Sequence, residues 1–92
     1  MIINLNKKFK SLKGEEIEGA TLGQILAGKL AETNEGDAIK YYDWALKLHN
    51  NEEINIDNSD YRKLYDFVKD SKALTNLAKA QVLKGLESQK EE

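Results

Sequence analysis

Residues Ala38–His49 read AIKYYDWALKLH, and this stretch decides the predicted fold. It contains the only Trp of the chain, two of its four Tyr and its only His. If the stretch is helical, its apolar and aromatic side chains cover roughly 220° of the circumference. Lys40, Asp43 and Lys47 fill the remaining polar strip. One buried face needs an apolar arc of only about 100°, so we expect a helix that is central to the fold or presented to a partner.

Tyr41, Trp44 and Leu48 form one edge of this arc, on the far side from Ile39 and Leu46. Tyr and Trp are enriched among the residues that dominate protein–protein binding energy, so this edge is a candidate protein contact. The other predicted elements carry apolar stripes that need a centre, and this helix is the natural one. The sequence leaves open whether the chain itself covers the edge or leaves it for a partner.

The hydropathy pattern of the rest of the chain predicts a compact, mainly α domain of four helices with an N-terminal β-hairpin. This is a helix-dominated α+β fold class. Thr21, Asp37, Asp57 and Ser71 are the expected N-caps, because their short polar side chains accept hydrogen bonds from the first helical turn. Ile54 and Ile56 lie in a predicted loop and alternate inward. The expected single domain spans 1–92, with a hairpin at about 2–18 (strands near 2–11 and 15–18), helices at about 22–33, 38–49, 58–69 and 72–88, and a frayed tail at 89–92.

The composition is that of a small globular domain, with 40% hydrophobic and 33% charged residues. The formal net charge of −2 favours no class of partner. The absence of Cys excludes a disulfide, a thiol nucleophile and a zinc–thiolate site. The N-terminal stretch lacks an apolar core of signal-peptide length, and no apolar run approaches about 18 residues. We therefore expect a cytoplasmic protein that does not span a membrane.

The first predicted helix carries a strip of small residues, Ala20, Gly23, Ala27 and Ala31, opposite its apolar stripe. Glycine inside a helix costs roughly 0.8–1 kcal/mol relative to alanine, so its presence indicates that another backbone comes close. One interpretation is close packing against a helix of the same chain. The alternative is a contact between identical copies, because such a strip is self-complementary about a two-fold axis.

A nucleic-acid interface is the alternative function. The third and fourth predicted helices resemble a helix–turn–helix, and the exposed strip of the fourth helix holds Lys72, Thr75, Asn76 and Lys79. A second version uses the basic N-terminal residues Lys7, Lys8 and Lys10 together with the aromatic Phe9. The chain is net acidic and its single Arg lies outside both sets, whereas DNA-binding domains are usually basic. Nucleic-acid binding is therefore disfavoured.

Catalytic and metal-binding patterns are weak. His49 has no second His or Cys to complete a metal site, and its place at a helix end is electrostatically favourable for a histidine. Residues 57–60 faintly resemble a calcium loop, but Arg62 stands where that loop needs glycine. No phosphate loop, dinucleotide fingerprint or nucleophile elbow is present. We expect no enzymatic activity, no cofactor, no metal and no small-molecule substrate.

The order of segments resembles that of small phage and prophage proteins. The matching stretches are LNKKFKSLKGEEIEG, TLGQILAGKLAE, GDAIKYYDWALKLHN and INIDNSDYRKLYDFVKDSKALTNLAKAQVLKGLE. The resemblance covers nearly the whole chain and consists of turns, caps and apolar stripes. That family has no established activity, so the resemblance implies a bacterial host cell and an accessory role, such as an assembly factor or a protein-binding adaptor.

Overall fold

The central helix has the predicted bounds, Ala38–His49, in the computed structural model, which describes residues 1–90. The described elements form the expected helix-dominated α+β fold, with two small antiparallel sheets beside four helices. The strands are β1 (Ile2–Ile3), β2 (Lys8–Lys10), β3 (Glu16–Thr21) and β4 (Ile54–Asn55), and the helices are α1 (Leu22–Glu32), α2 (Ala38–His49), α3 (Asn58–Asp70) and α4 (Asn76–Lys90).

The predicted first strand of the hairpin is two strands that belong to different sheets. β2 pairs with β3 as expected, but β1 pairs with β4, where the sequence predicts a loop. Between β1 and β2, the Asn4 side chain accepts a hydrogen bond of 2.9 Å from the backbone N–H of Asn6. Such a local turn redirects the chain, so the prediction of one hairpin over residues 2–18 is wrong in its first half. Ile54 and Ile56 are buried, as predicted.

Three of the predicted N-caps are confirmed. Thr21 begins α1 with a capping box, because its hydroxyl accepts from the Gln24 N–H while the Gln24 side chain accepts from the Thr21 N–H. Asp37 accepts from the backbone of Lys40 at the start of α2, and Asp57 accepts from the third residue of α3. Local side-chain chemistry therefore sets where these helices begin.

The fourth helix begins four residues later than predicted. Ser71 ends α3, and its hydroxyl accepts from the Ala73 N–H rather than capping a new helix. Thr75 caps α4 instead, since its hydroxyl accepts from the Ala78 N–H at 3.2 Å. The helix continues to Lys90, so the frayed tail predicted from residue 89 is wrong for residues 89 and 90. Residues 91 and 92 lie outside the described part of the chain.

The core lies where all four helices meet β1 and β4. α2 contributes two large side chains, Trp44 and Leu48, and the other elements surround them. The most deeply buried large side chains are Ile3, Leu5, Leu26, Leu48, Ile54, Leu64, Val68, Val82 and Leu86. This core accounts for the apolar stripes that needed a centre, and it leaves one side of α2 uncovered.

Candidate functional site

The edge of α2 proposed as a protein contact is covered by the chain itself. Trp44 is 5% exposed and Leu48 is 1% exposed. Tyr41 is half-buried, and its ring stacks on Trp44 with centroids 5.6 Å apart and meets Phe67 edge-on. Of the two alternatives that the sequence leaves open, the structure therefore shows the first: the chain itself covers Trp44 and Leu48, which are not available as contacts for a partner, and Tyr41 packs beside them.

Two contacts of the first turns of α2 accompany this orientation. The Lys40 ammonium lies 2.9 Å from the Asp60 carboxylate of α3, and this hydrogen bond raises the pKa of Lys40. The Tyr41 ring packs on Gly36, where an added Cβ would lie only 2.7 Å from a ring carbon. Burial, with smaller effects of Asp37 and Glu35, raises the pKa of the Tyr41 hydroxyl. The start of α2 is thus joined to α3 by the Lys40–Asp60 ion pair, whereas the Gly36 contact lies in the loop before α2.

The opposite side of α2 carries the exposed apolar surface. Ile39 is 83% exposed, Tyr42 is 65% exposed and Leu46 is 46% exposed. These three residues, the outer stripe, are spaced three and four positions apart and so lie on one side of the helix. Large exposed side chains are ordinary when scattered singly, but a contiguous row of them marks a candidate interaction site.

The small residues of the predicted strip divide between the interior and the surface. Gly23 is buried, its N–H donates to the Leu5 carbonyl at 2.9 Å, and an added Cβ would lie 3.2 Å from the Leu48 carbonyl oxygen. This confirms the interpretation of close packing within the chain for Gly23. Ala27 is also buried, whereas Ala20 and Ala31 are exposed. The four residues therefore do not form one free strip.

A shallow groove of about 540 Å³ runs between α1 and the outer stripe. Its floor consists of small residues of α1 and of the strand before it, and Tyr42 and Leu46 form the opposite wall. The Gln24 side chain closes one end by donating to the His49 carbonyl at 3.0 Å. We call the outer stripe and this groove together the α1–α2 face. The floor residues are Gly19, Ala20, Ala27, Gly28 and Ala31.

Sequence reasoning named the α1 half of this face and missed the α2 half. Ala20, Ala27 and Ala31 of the predicted strip lie in the groove floor, whereas the outer stripe is not among the predicted contacts. The residues on the two sides of α2 have the same three- and four-residue spacing, and the polar strip of Lys40, Asp43 and Lys47 lies between them. Nothing in hydropathy distinguishes the two sides. The signal that was available is the spacing of Ile39, Tyr42 and Leu46 itself, which forms a second complete stripe.

A larger groove of about 780 Å³ lies near the ends of α1 and α3. Tyr41 and Phe67 contribute to its lining, and three lysines and four carboxylates surround them. The lysine Lys29 is already 3.4 Å from Glu32. Nearly balanced, solvated charges make this groove a poor candidate for a specific site, despite its size.

The structure does not place the candidate nucleic-acid residues on one helix. Lys72 and Thr75 precede α4, Asn76 is its first residue, and Lys79 lies one turn later. Thr75 is already used as a cap. This correction follows from the later start of α4.

The basic N-terminal residues are arranged around a strand rather than on a free aromatic platform. Lys7, Lys8 and Lys10 are exposed, but Phe9 is half-buried and packs on the core. The backbone N–H and carbonyl of Lys10 both bond the Gln81 side chain of α4. Phe9 is therefore not free to stack on a base, although nucleic-acid binding itself stays an untested alternative.

The described residues contain no group of three or more His, Asp and Glu side chains that could hold a metal ion. His49 is the last residue of α2, as expected, and is exposed. No helix within residues 1–90 is both long enough and apolar enough to cross a membrane. No family model, curated protein or solved structure matches this chain. The candidate site therefore depends on geometry alone, and that geometry is the α1–α2 face.

Proposed function

We propose that this chain is a non-enzymatic protein-interaction or assembly module that binds a protein through the α1–α2 face. The exposed outer stripe beside an apolar groove carries the proposal. Burying Ile, Leu and Tyr side chains against a partner removes apolar surface from water, which is the main driving force of association. The phage or prophage setting and the bacterial cytoplasm stay predictions from the sequence.

The rigidity of the face supports this function. Both helices of the face begin at side-chain caps, and their ends are joined by the Gln24–His49 bond. Gly23 brings the α1 backbone close to the end of α2. A preformed surface loses little conformational entropy on binding, so more of the interaction energy contributes to affinity.

Site-specific photo-crosslinking tests the proposal. A photoreactive phenylalanine analogue replaces Leu46 in the full chain, and in the control it replaces Leu12, which is 93% exposed in the hairpin turn. The Leu46 variant is expected to give a discrete crosslinked product, and Ile39→Glu in the same chain should abolish it. The experiment is run on purified protein and in bacterial extract, so the product's mass tells a second copy from a foreign protein. Equal products from both positions, or none from Leu46, would refute the proposed function.

A further inference from the structure

We propose that the α1–α2 face binds a second copy of this chain, with the two α2 helices antiparallel across a two-fold axis. This inference rests on the proposed function and names the partner of the same face. Three observations lead to it: the spacing of the outer stripe, the charges beside the stripe and the size of the face.

The spacing of the outer stripe suits a helix-to-helix contact. Ile39, Tyr42, Leu46 and the exposed His49 are separated by three, four and three residues, which is the spacing of a coiled-coil seam. A two-fold contact brings the same stripe of both copies together. When the two-fold axis passes between the two α2 helices near the middle of their length, Tyr42 of each copy lies across from Leu46 of the other. The groove beside α2 has a floor of small residues, which leaves room for the Tyr42 ring of the other copy.

The charges beside the stripe select the antiparallel orientation. Asp43 and Lys47 border the stripe on the side away from α1, with a carboxylate–ammonium distance of 3.4 Å and side chains 59% and 47% exposed. In a parallel two-fold pair, the Asp43–Lys47 sides of the two α2 helices would lie on opposite sides of the contact, so these charges could not meet. An antiparallel pair places each Asp43 within one helical turn of the other copy's Lys47. Complementary charges of this kind set orientation and register.

The size of the face fits a dimer of modest affinity. The outer stripe alone exposes on the order of 400 Å², and a standard interface buries about 800 Å² on each partner. The groove floor, Asp43 and Lys47 border the stripe and would add the remainder. The face therefore lies near the lower limit for a specific complex, and we expect a dissociation constant on the order of 10 µM.

Mixing two charge variants tests the orientation. Asp43→Lys and Lys47→Asp are each expected to weaken self-association by about 3–10-fold, because each homodimer then brings like charges together. A one-to-one mixture should recover the wild-type affinity, because in the heterodimer both lysines of one variant lie across from both aspartates of the other. Both variants lack the Asp43–Lys47 pair within α2, so its loss cannot explain the recovery. Sedimentation equilibrium up to about 200 µM measures the wild type, each variant and the mixture.

Two matched controls restrict the result to the face. Lys29→Glu and Glu32→Lys alter an exposed ion pair of α1 that borders the charged groove, and neither variant nor their mixture should change association. Leu46→Glu should weaken the dimer at least about 10-fold, whereas Leu12→Glu should not. Circular dichroism checks that each variant is folded.

The outcomes separate the inference from the proposed function. A wild-type chain that is monomeric at the highest concentration overturns the second-copy partner, and so does a mixture no tighter than its components. If Leu46 then crosslinks to a foreign protein, the proposed function stands and only the inference fails. If Leu46 also gives no specific product, both fail.

Discussion

The two sides of α2 carry similar side chains but differ in burial. The inner edge of Tyr41, Trp44 and Leu48 and the outer stripe each combine aromatic and aliphatic side chains at helical spacing. The inner edge is the centre of the core, whereas the outer stripe is exposed to solvent. The apolar character of a helix therefore predicts how much surface it will bury but not which side will be buried.

Truncating one aromatic residue on each side of α2 should give the greatest difference in stability between the two sides. Trp44→Ala should lower the free energy of unfolding by about 3–5 kcal/mol, because it removes a buried side chain and leaves a cavity. Tyr42→Ala should change the monomer by less than about 0.5 kcal/mol. Urea unfolding at low micromolar protein measures both.

Trp44→Phe provides a second inner-edge variant where Trp44→Ala has no folded population. Its free energy of unfolding should lie between those of Trp44→Ala and Tyr42→Ala, because a smaller aromatic ring still fills part of the space. Equal stabilities of the Trp44 and Tyr42 variants would mean that the two sides of α2 do not differ in their burial in the core.

Two glycines of α1, one packed against α2 and one open to solvent, test the same difference between a covered and an uncovered side. Gly23 lies against the backbone of Leu5 and Leu48, so Gly23→Val should cost about 1–3 kcal/mol. Nothing lies within 4 Å of the position of a Cβ on Gly28, so Gly28→Ala should gain up to about 1 kcal/mol from helix propensity. Thermal unfolding at low protein concentration measures both variants. A Gly23→Val variant as stable as the wild type would contradict the close packing of α1 on α2.

The smallest expected effect is alkaline sensitivity at the inner edge. Burial raises the pKa of Tyr41 above its ordinary value, so the folded chain holds this proton more tightly than the unfolded chain. Its contribution to stability is complete below about pH 10 and is lost as the pH rises through the raised pKa. Tyr41→Phe should make the decline of stability above pH 10 shallower, with Tyr42→Phe as the matched control. Unfolding midpoints between pH 8 and 11 measure the difference, and identical profiles for wild type and Tyr41→Phe would refute this role.

Local signals predicted the parts of the fold that depend on neighbours in sequence. The caps Thr21, Asp37 and Asp57 are read correctly because each bond joins residues three positions apart. The start of α4 was missed because Ser71 and Thr75 carry the same kind of cap and only one of them is used for a helix. The pairing of β1 with β4 was missed because it joins segments about fifty residues apart, and two-residue strands have no periodicity to read.

Helical periodicity and N-caps act within a few residues, so the amino-acid sequence is enough to predict a helix-dominated domain around Ala38–His49. Which side of that helix is covered depends on packing between elements that are distant in the chain. Lys40 with Asp60 and Tyr41 with Phe67 are contacts between α2 and α3, and they accompany an orientation that buries Trp44 and exposes Ile39. The candidate binding face is the surface that remains after the core has been completed, so the local spacing shows both stripes of α2 but not which of them stays exposed.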